Sequence, residues 1–393
     1  MKSHVSHKVK LNPTQEQVTY FVKACNISRF AYNLGLAAWN TWYKQGRKFS
    51  HWDIRNEFNQ VKYEHFPWVS EVSSHVTQYA FENLNQAFTR FFKHSAGRPK
   101  FHKKGLSVSF AFYPVKLNEF HVKVPKLGFV KLAEKVRFNG KVLDKAVISR
   151  DGNHWFISVT VEIDTESQFE QVENQNLVGI DLGLSQPVVL STGEVFDAPK
   201  PLKKYLCKLA RVQRRLSSKV KGSSNWYKQL RKLRALHYRI KCIRLDWLHK
   251  VTTYITKNFK YIAIEDLAVQ NMLKNRALAR AISDIGWGEF RKQIVYKSVL
   301  RGNEVTVIDR WFPSSKTCNE CGSINDNLLL SDRVFRCECG NVIDRDLNAS
   351  LNIRDCVPIA DGELTPVDRS ASDIGISISS TLVEAGRFST HGA

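Results

Sequence analysis

Four of the eight cysteines lie between positions 318 and 339, and this cluster constrains the architecture more than any other feature of the chain. Cys318 and Cys321 form CNECG, and after fifteen intervening residues Cys337 and Cys339 form CECG. The other four cysteines are scattered singly, which argues against a disulfide framework. Two thiolate pairs can meet across a short hairpin in a tetrahedral zinc site, although the second pair is CxC rather than CxxC. We therefore expect a structural zinc ribbon, with four incidental core cysteines as the alternative.

The charge of the chain indicates a polyanionic partner. Lys plus Arg number 59 and Asp plus Glu 37, a net charge of +22, while 43% apolar residues leave material for real cores. The phosphates of a nucleic acid can offset this charge, and the release of their counterions favours binding. The alternatives are a basic surface that is merely solvated and an anionic membrane surface. At 393 residues the chain is long enough for two or three domains. It lacks a run of about 18 apolar residues and a signal-peptide core, so we expect a cytoplasmic protein with no membrane association.

The N-terminal half divides into a helical part and a strand-rich part. Asn12 is the predicted N-cap of a helix, or of a broken helix pair, that ends at Gly46. An apolar stripe predicts a second helix over 74–93. The basic loop GRPKFHKKG follows, and short alternating runs over 106–165 predict a small β domain.

The C-terminal half alternates strands with helices, which is typical of an α/β domain. The apolar segments LVGID, YIAI and EVTVID are predicted strands. Residues 203–250 hold sixteen Lys or Arg against one acid and predict two basic helices. Ser283 is the predicted N-cap of a helix that stops at Gly302.

Three carboxylates stand where strand ends or helix starts expose them. Asp181 closes LVGID, Glu265 follows YIAI, and Asp346 precedes a helical run. An acid at such a position is, taken alone, more often a turn residue or a helix cap. If the three carboxylates converge, two of them about 4 Å apart would repel each other by ~4 kcal/mol unless cations bound between them. Oxygen ligands select magnesium or manganese, and two such ions can assist phosphodiester hydrolysis. Asp344 is the rival third ligand; we prefer Asp346, because Asp344 can pair with Arg345 or cap the turn.

The order of these motifs resembles the TnpB (OrfB) family of transposon-encoded RNA-guided nucleases, relatives of type V CRISPR effectors. GIDLG, IEDL, SDIGWGEF, PSSKTC, the four cysteines and DRDLNASLNI carry the resemblance in the C-terminal half. HKVKLNPTQEQ, SRFAYN and GRPKFHKK carry it in the N-terminal half. The resemblance implies an RNase H-like RuvC nuclease domain with Asp181, Glu265 and Asp346 as catalytic, magnesium-binding carboxylates. The presence of all three argues against an inactivated, binding-only member.

The resemblance also implies a multidomain α+β and α/β fold, with a helical recognition module and a small β-barrel-like wedge domain before the nuclease domain and its inserted zinc ribbon. The predicted divisions are 1–11 (first wedge strand), 12–104 (helical recognition module), 105–170 (β wedge), 171–176 (linker), 177–315 (nuclease), 316–340 (zinc ribbon), 341–355 (end of the nuclease domain) and 356–393 (flexible tail).

The implied partners are a guide RNA from the transposon end and target double-stranded DNA, with no obligate protein partner. In such complexes base pairing reads the target, while the protein reads a short adjacent motif and contacts the backbone. Candidates for the adjacent base edges are His51, Arg55 and Gln78. Candidates for phosphate contacts are Arg98, Lys100, Lys103, Lys104, Arg211, Arg214 and Arg215. Four aromatic residues are candidates for base stacking but at helical spacing are more often core: Trp39, Trp42, Tyr43 and Trp52.

Two other functions remain open from the sequence alone. One is a guide-directed nucleic-acid-binding protein without cleavage, such as a repressor. The other is a guide-independent junction resolvase or RNase H-type nuclease.

Overall fold

The computed structural model divides the chain into two compact units. It describes residues 2–105, 108–165, 169, 172, 176–329, 331–357 and the backbone of 382–385. The N-terminal unit contains Lys2–Asp164 and a strand from the chain end, and the C-terminal unit contains the described residues from 165 to 357. Most of the segment predicted as a flexible tail therefore lies outside the described residues.

The N-terminal unit combines helices with two sheets. Its helices are α1 (Gln15–Lys44), α2 (His51–His65) and α3 (Ser74–Phe92), with a 3-10 turn over Pro67–Glu71. Its strands are β1 (Lys2–Leu11), β2 (Ser109–Phe112), β3 (Lys116–Leu117), β4 (His121–Val124), β5 (Gly128–Lys131), β6 (Lys141–Asp151), β7 (His154–Asp164) and β15 (Leu382–Ala385).

Helix α1 is continuous and is capped two residues later than predicted. Thr14 is the N-cap: its hydroxyl accepts from the Gln17 N–H at 3.3 Å, and the Gln17 side chain accepts from the Thr14 N–H at 3.1 Å. This reciprocal pair is a capping box. The predicted N-cap, Asn12, is wrong because its N–H donates to the Lys131 carbonyl at 2.9 Å and so belongs to the sheet region.

The predicted barrel-like form is wrong, because the larger sheet is open. Its strand order is β15-β1-β7-β6-β2, and β3-β4-β5 form a separate sheet. Helix α1 covers the apolar face instead: the Phe21 ring lies 5.9 Å from Phe110 and 5.1 Å from Trp155, centroid to centroid. Because the helix buries this face, the sheet needs no closure on itself to form a core.

Two of the four candidate stacking aromatics are part of the helical core. Trp39 stacks on Phe88 with centroids 4.0 Å apart, and Trp42 is 8% exposed. Tyr43 and Trp52 are 68% and 50% exposed. Tyr43 and Trp52 are therefore the better placed of the four to meet another molecule.

The C-terminal unit has a central sheet surrounded by helices. Its helices are α4 (Pro201–Ser217), α5 (Ser224–Asn258), α6 (Val269–Met272), α7 (Ala279–Ile285), α8 (Trp287–Arg301) and α9 (Arg345–Asp355). Its strands are β8 (Leu177–Asp181), β9 (Val188–Leu190), β10 (Val195–Phe196), β11 (Tyr261–Glu265), β12 (Glu304–Ile308), β13 (Val334–Arg336) and β14 (Val342–Asp344). The described residues contain no helix long and apolar enough to cross a bilayer.

The central sheet has the order β10-β9-β8-β11-β12. Strands β8, β11 and β12 run parallel, while β9 and β10 extend the sheet as an antiparallel meander. Helices α5 and α8 cover one face, where Val178 and Ile262 pack with Leu248 and Phe290. The other face of β11 contributes Ala263 to a separate cluster with α9. Parallel strands covered on both faces place their carboxyl ends at one exposed edge.

The predicted N-cap at Ser283 is wrong because two helices, not one, occupy this segment. Gly286 adopts φ +84° and separates α7 from α8, so Ser283 lies inside α7. The left-handed conformation ends the first helix and suits glycine.

The two basic helices form a hairpin that is fixed to the rest of the C-terminal unit by Asp284. Leu209 on α4 packs with Leu236 and Ile240 on α5. The buried Asp284 carboxylate accepts from the N–H groups of Leu202 and Lys203, both at 2.9 Å, and so caps α4 from another helix. This cap gives Asp284, the aspartate of the SDIGWGEF motif, a structural role.

Candidate functional site

The three predicted acids lie on neighbouring elements of the C-terminal unit. Asp181 is the last residue of β8 and Glu265 the last of β11, and these strands pair in parallel with Ile264 opposite Ile180. Both side chains therefore stand at the carboxyl edge of the sheet, where open α/β sheets bind ligands. Asp346 lies in the first turn of α9, which packs against β8.

A glycine inside β8 lets the helix that carries Asp346 approach the sheet. A Cβ on Gly179 would lie 2.1 Å from the Ser350 carbonyl oxygen and 2.5 Å from the Arg354 nitrogen. A Cβ on Gly183 would lie 3.6 Å from Asp346 Oδ2, so that carboxylate faces the segment after Asp181. The sequence reasoning missed Gly179, although a glycine within a buried strand is a known signal of close backbone approach.

The structure separates the roles of Asp344 and Asp346. Asp344 Oδ1 accepts from the backbone N–H groups of Asp346 and Leu347, each at 3.0 Å, so Asp344 is the N-cap of α9. Asp346 is only 6% exposed and uses its own carboxylate elsewhere. Of the two roles expected of Asp344, pairing with Arg345 or capping the turn, the structure shows the cap.

The electrostatics of the sheet edge show that the acids influence one another. Burial and the negative charges of Asp346 and Glu265 raise the pKa of Asp181 to about 7, against an opposing effect of Arg345. Burial and the neighbouring Asp266 charge raise the pKa of Glu265. Both shifts indicate that the edge holds more negative charge than its surroundings stabilise, as expected of a cation site.

Arginines partly compensate the charge of Asp346. Arg345 Nη2 lies 3.2 Å from Asp346 Oδ1, and Arg333 Nη1 lies 4.0 Å from Oδ2. Among the described residues, the oxygens of Asp181, Glu265 and Asp346 do not all lie within 4.8 Å of one another.

A fourth acid at this edge has a different role. Asp266 follows Glu265 and forms ion pairs with Arg291 and Arg310. Although burial opposes ionisation, these two guanidinium groups keep the pKa of Asp266 below its usual value. Asp266 is therefore neutralised by protein cations and orients Arg310 beside the site.

The four predicted zinc cysteines form a compact sulfur cluster, which excludes the incidental-core alternative. Cys318 Sγ lies 3.8 Å from Cys339 Sγ, Cys321 Sγ lies 3.5 Å from Cys337 Sγ, and all four sulfurs are within 4.8 Å of one another. A tetrahedron with zinc–sulfur bonds of about 2.3 Å has edges of ~3.8 Å. These separations fit a metal and are too long for a disulfide.

Polar side chains that the sequence reasoning did not single out surround the sulfurs. Ser323 Oγ lies 3.0 Å from the sulfurs of both Cys321 and Cys337. The Asn341 amide donates to the Cys318 sulfur at 3.5 Å. Such outer contacts orient metal ligands.

Asparagines of α9 connect the cysteine ribbon to the helix that carries Asp346. The Asn348 amide donates to the Thr317 carbonyl at 2.7 Å, and its oxygen accepts from the Asn319 N–H at 3.1 Å. The Asn352 amide donates to the Ser314 carbonyl at 2.7 Å. Because Asn348 and Asn352 are buried, these bonds fix the base of the ribbon firmly to α9.

The basic loop of the N-terminal unit is held along α1. The Asn33 side chain accepts from the His102 N–H at 2.8 Å and donates to the His102 carbonyl at 3.0 Å, and Arg98 Nη2 donates to Asn40 Oδ1 at 3.0 Å. The remaining predicted phosphate contacts of this loop are exposed: Lys100, Lys103 and Lys104. Arg211, Arg214 and Arg215 are likewise exposed on α4.

The three predicted base-reading residues lie on two helices of the N-terminal unit. His51 and Arg55 are in the first turns of α2, where the Arg55 guanidinium lies 5.2 Å from the Trp52 ring centroid. Gln78 lies on α3 and donates to Glu82 Oε1 at 3.1 Å. Their nucleic-acid contacts stay predictions.

Known family models match the chain in three consecutive segments. A helix-turn-helix model of the OrfB_IS605 group matches residues 1–48. The OrfB_IS605 model, described as "Probable transposase", matches residues 158–276. A Cas12f1-like TNB domain model matches residues 287–353.

Two relatives match over almost the whole chain. A Streptomyces pristinaespiralis protein named "Putative RNA-guided DNA endonuclease" is 37% identical over 356 residues, 88% of this chain and 87% of its own. "Putative RNA-guided DNA endonuclease InsQ" of Escherichia coli K12 is 33% identical over 379 residues, 90% of this chain and 92% of its own.

A solved structure shares the fold. The chain resembles the protein in a "Cas12f1-sgRNA-target DNA complex" with a TM-score of 0.57 and 15% identity, covering 87% of this chain and 83% of that one. The mixed α/β architecture is therefore that of a Cas12-like protein.

Proposed function

Because this chain belongs to the TnpB (OrfB) family of RNA-guided DNA endonucleases, we propose that Asp181, Glu265 and Asp346 are the carboxylates with which it hydrolyses target DNA. One observation carries this assignment. Two acids close adjacent parallel strands, the third enters from α9, and burial together with the charges of the other two raises the pKa of Asp181.

The C-terminal unit is an RNase H-like RuvC domain in this proposal. The sheet order supports it, since an antiparallel meander precedes two further parallel strands and the acids lie at their shared carboxyl edge. The cysteine ribbon lies between β12 and α9 in the chain, as an insertion would.

The donor set of the site fits divalent magnesium or manganese. Carboxylate oxygens are the ligands that these hard cations prefer, and a bound cation would offset the negative charges that help to raise the pKa of Asp181. When bound, such ions activate water and stabilise the charge of an in-line phosphodiester displacement. Arg345 orients Asp346, while Asp266 is committed to its arginines and remains outside the ligand set.

The ribbon is a structural zinc site in this proposal. Its sulfur separations match a tetrahedral thiolate site, and four protein ligands leave no position for a reacting water. Through Asn348 and Asn352 the ribbon supports the position of α9.

The substrate complex consists of a guide RNA from the transposon end paired with one strand of target DNA in the cytoplasm. Exposed lysines and arginines of the basic loop and of α4 contact phosphates. His51, Arg55 and Gln78 are the proposed readers of the short motif beside the target. The RNA-guided names of the relatives support the guide.

A matched pair of variants tests the catalytic assignment. Asp346→Asn removes one ligand charge and is expected to lower cleavage by at least ~100-fold, because loss of even a supporting group costs about 10- to 100-fold. Asp344→Asn keeps a good N-cap and is expected to cleave nearly as well as the wild type. The measurement is the single-turnover rate on matching DNA in magnesium. Equal rates for the two variants would overturn the choice of Asp346.

A second pair tests the zinc site. Cys318→Ser is expected to reduce zinc per chain and lower the melting temperature, because metal binding contributes to folding. Cys207→Ser, at an exposed thiol on α4, is expected to keep its zinc. Zinc content is measured by elemental analysis of the purified proteins. Full zinc content in Cys318→Ser would exclude that ligand.

A further inference from the structure

The most exposed large apolar side chain among the described residues is Trp311. Its exposed fraction is 84%, whereas Trp287 in the same unit is 2% exposed. Indole rings usually contribute large buried areas to cores or interfaces. An indole this exposed contributes little to the core, so its ring is free to contact another molecule.

The backbone of Trp311 is fixed by the turn that follows β12. The Trp311 N–H donates to Asp309 Oδ1 at 2.8 Å, and the Phe312 N–H donates to the Asp309 carbonyl at 3.1 Å. Phe312 packs against the core cluster that includes Ala263 and Ile353. Because Phe312 points inward from this turn, the indole is presented outward from an ordered support.

This turn lies at the edge that carries the proposed catalytic acids. β12 ends at Ile308, which is paired with Glu265, and three residues of chain span at most about 11 Å. Arg310 is tied back to Asp266 by an ion pair and, with Glu265, lines a cavity of about 410 Å³. Trp311 therefore follows a cationic residue in the chain, and its Cα lies within about 11 Å of the strand end that pairs with Glu265.

We propose that Trp311 is a stacking platform for an unpaired base of the DNA strand being cut, next to the scissile phosphate. This inference rests on the proposed function of the carboxylate site. Sites for single strands combine positive charge with aromatic rings on which bases stack, and Arg310 and Trp311 provide both. Every base has a π face, so the platform holds the strand without selecting its sequence.

The first test combines a protein change with a change in the DNA. Guide-loaded protein cleaves matching DNA in which a single abasic nucleotide is moved position by position across the cut region. Trp311→Ala is expected to raise KM roughly five- to hundredfold on intact DNA with little change in kcat, and Trp311→Phe to restore most of the loss. When the abasic nucleotide occupies the position that stacks on Trp311, the wild type and Trp311→Ala are expected to have the same KM.

The control is Phe129→Ala, a similarly truncated ring on β5 that is 56% exposed. In Phe129→Ala, the ratio of KM on intact DNA to KM on abasic DNA is expected to equal that of the wild type. An unchanged KM in Trp311→Ala, or a loss that is the same on every abasic substrate, would overturn the stacking role and indicate a protein-contact surface or a structural effect.

A second arm separates this inference from the proposed catalytic role. This arm uses guide-loaded Asp181→Asn, which is expected to bind DNA without cutting it. The DNA contains the fluorescent base 2-aminopurine at the nucleotide that the abasic substitutions identified. If the wild type does not cleave and no such nucleotide was identified, 2-aminopurine is placed at each position of the cut region in turn. Stacking on the indole quenches this base, and Trp311→Leu is expected to abolish the quenching. If the wild type does not cleave but quenching depends on Trp311, the catalytic proposal fails and the platform stands. If the protein with Trp311→Leu quenches 2-aminopurine as strongly as the protein with Trp311, the proposed stacking role of Trp311 is wrong.

Discussion

Three aspartates of the C-terminal unit take different roles because their surroundings differ. Asp266 meets two guanidinium groups, Asp344 accepts two backbone N–H groups, and Asp181 meets other carboxylates. Ion pairing and capping stabilise the charged form of a carboxyl, whereas burial beside like charges destabilises it. Of these three aspartates, Asp181 is the one whose charged form the fold stabilises poorly, and it is therefore the best suited of the three to bind a cation.

The raised pKa of Asp181 predicts a pH-dependent cost in stability. Without a divalent ion, the folded chain keeps this proton up to about pH 7, whereas the unfolded chain loses it near 3.8. The free energy of unfolding therefore falls as the pH rises from about 4 to 7, because the folded chain holds a proton that the unfolded chain has lost, and it does not recover above pH 7. Asp181→Asn removes the cost, so its gain over the wild type, on the order of a few kcal/mol, should be largest at pH 8 and small at pH 4.

The measurement is urea denaturation in magnesium-free buffer at both pH values, with Asp326→Asn, at a side chain 88% exposed, as the control. A stability gain in Asp181→Asn that does not change with pH would contradict the account.

At the residue scale, the sequence predicted what local chemistry determines. The cysteine spacing identified the four sulfurs that the fold gathers, and the place of Asp344 just before the helix made a cap one of the two roles expected of it. The N-cap at Asn12 was predicted wrongly, because Asn12 pairs with Lys131 far along the chain. A partner that distant leaves no local pattern.

At the element scale, the position of α9 against β8 brings Asp346 to Asp181. The two elements touch where β8 lacks a side chain, and asparagines on the other side of the helix hold the ribbon. The periodicity of strands and helices predicted these elements. It did not predict the break at Gly286 or the cap from Asp284, since the latter joins residues 82 positions apart in the sequence.

A pair of glycine variants tests this contact. Gly179→Ala forces a Cβ to within 2.1 Å of a backbone oxygen, so α9 must move; we expect a loss of about 1–3 kcal/mol in stability and a lower cleavage rate. Gly288→Ala has no neighbour within 4 Å and lies in α8, so its stability should be unchanged or higher by about 0.5 kcal/mol. Thermal unfolding and cleavage rates distinguish the two. Equal effects of both changes would show that the close approach at Gly179 is unimportant.

At the scale of the whole molecule, composition predicted a nucleic-acid partner but not how the β segment folds. The net charge of +22 is concentrated on the α4–α5 hairpin and the basic loop, both anchored by buried or paired polar groups. The barrel-like form, which the resemblance implied, was wrong, and the strand patterns could not correct it because they do not show whether a helix or a second sheet layer covers the apolar face. The packing of Phe21 on Phe110 and Trp155 decides that outcome.

The central claim is that the carboxylate edge cuts DNA under the direction of an RNA. The most direct measurement expresses the full chain with its downstream locus, sequences the RNA that copurifies, and assays magnesium-dependent cleavage of matching duplex DNA by the wild type and Asp181→Ala. We predict one specific RNA, cleavage by the wild type only, and nearly intact RNA and DNA binding in the variant. RNA without cleavage would indicate a binding protein, and cleavage without RNA a guide-independent nuclease. Equal cleavage by Asp181→Ala would contradict the account.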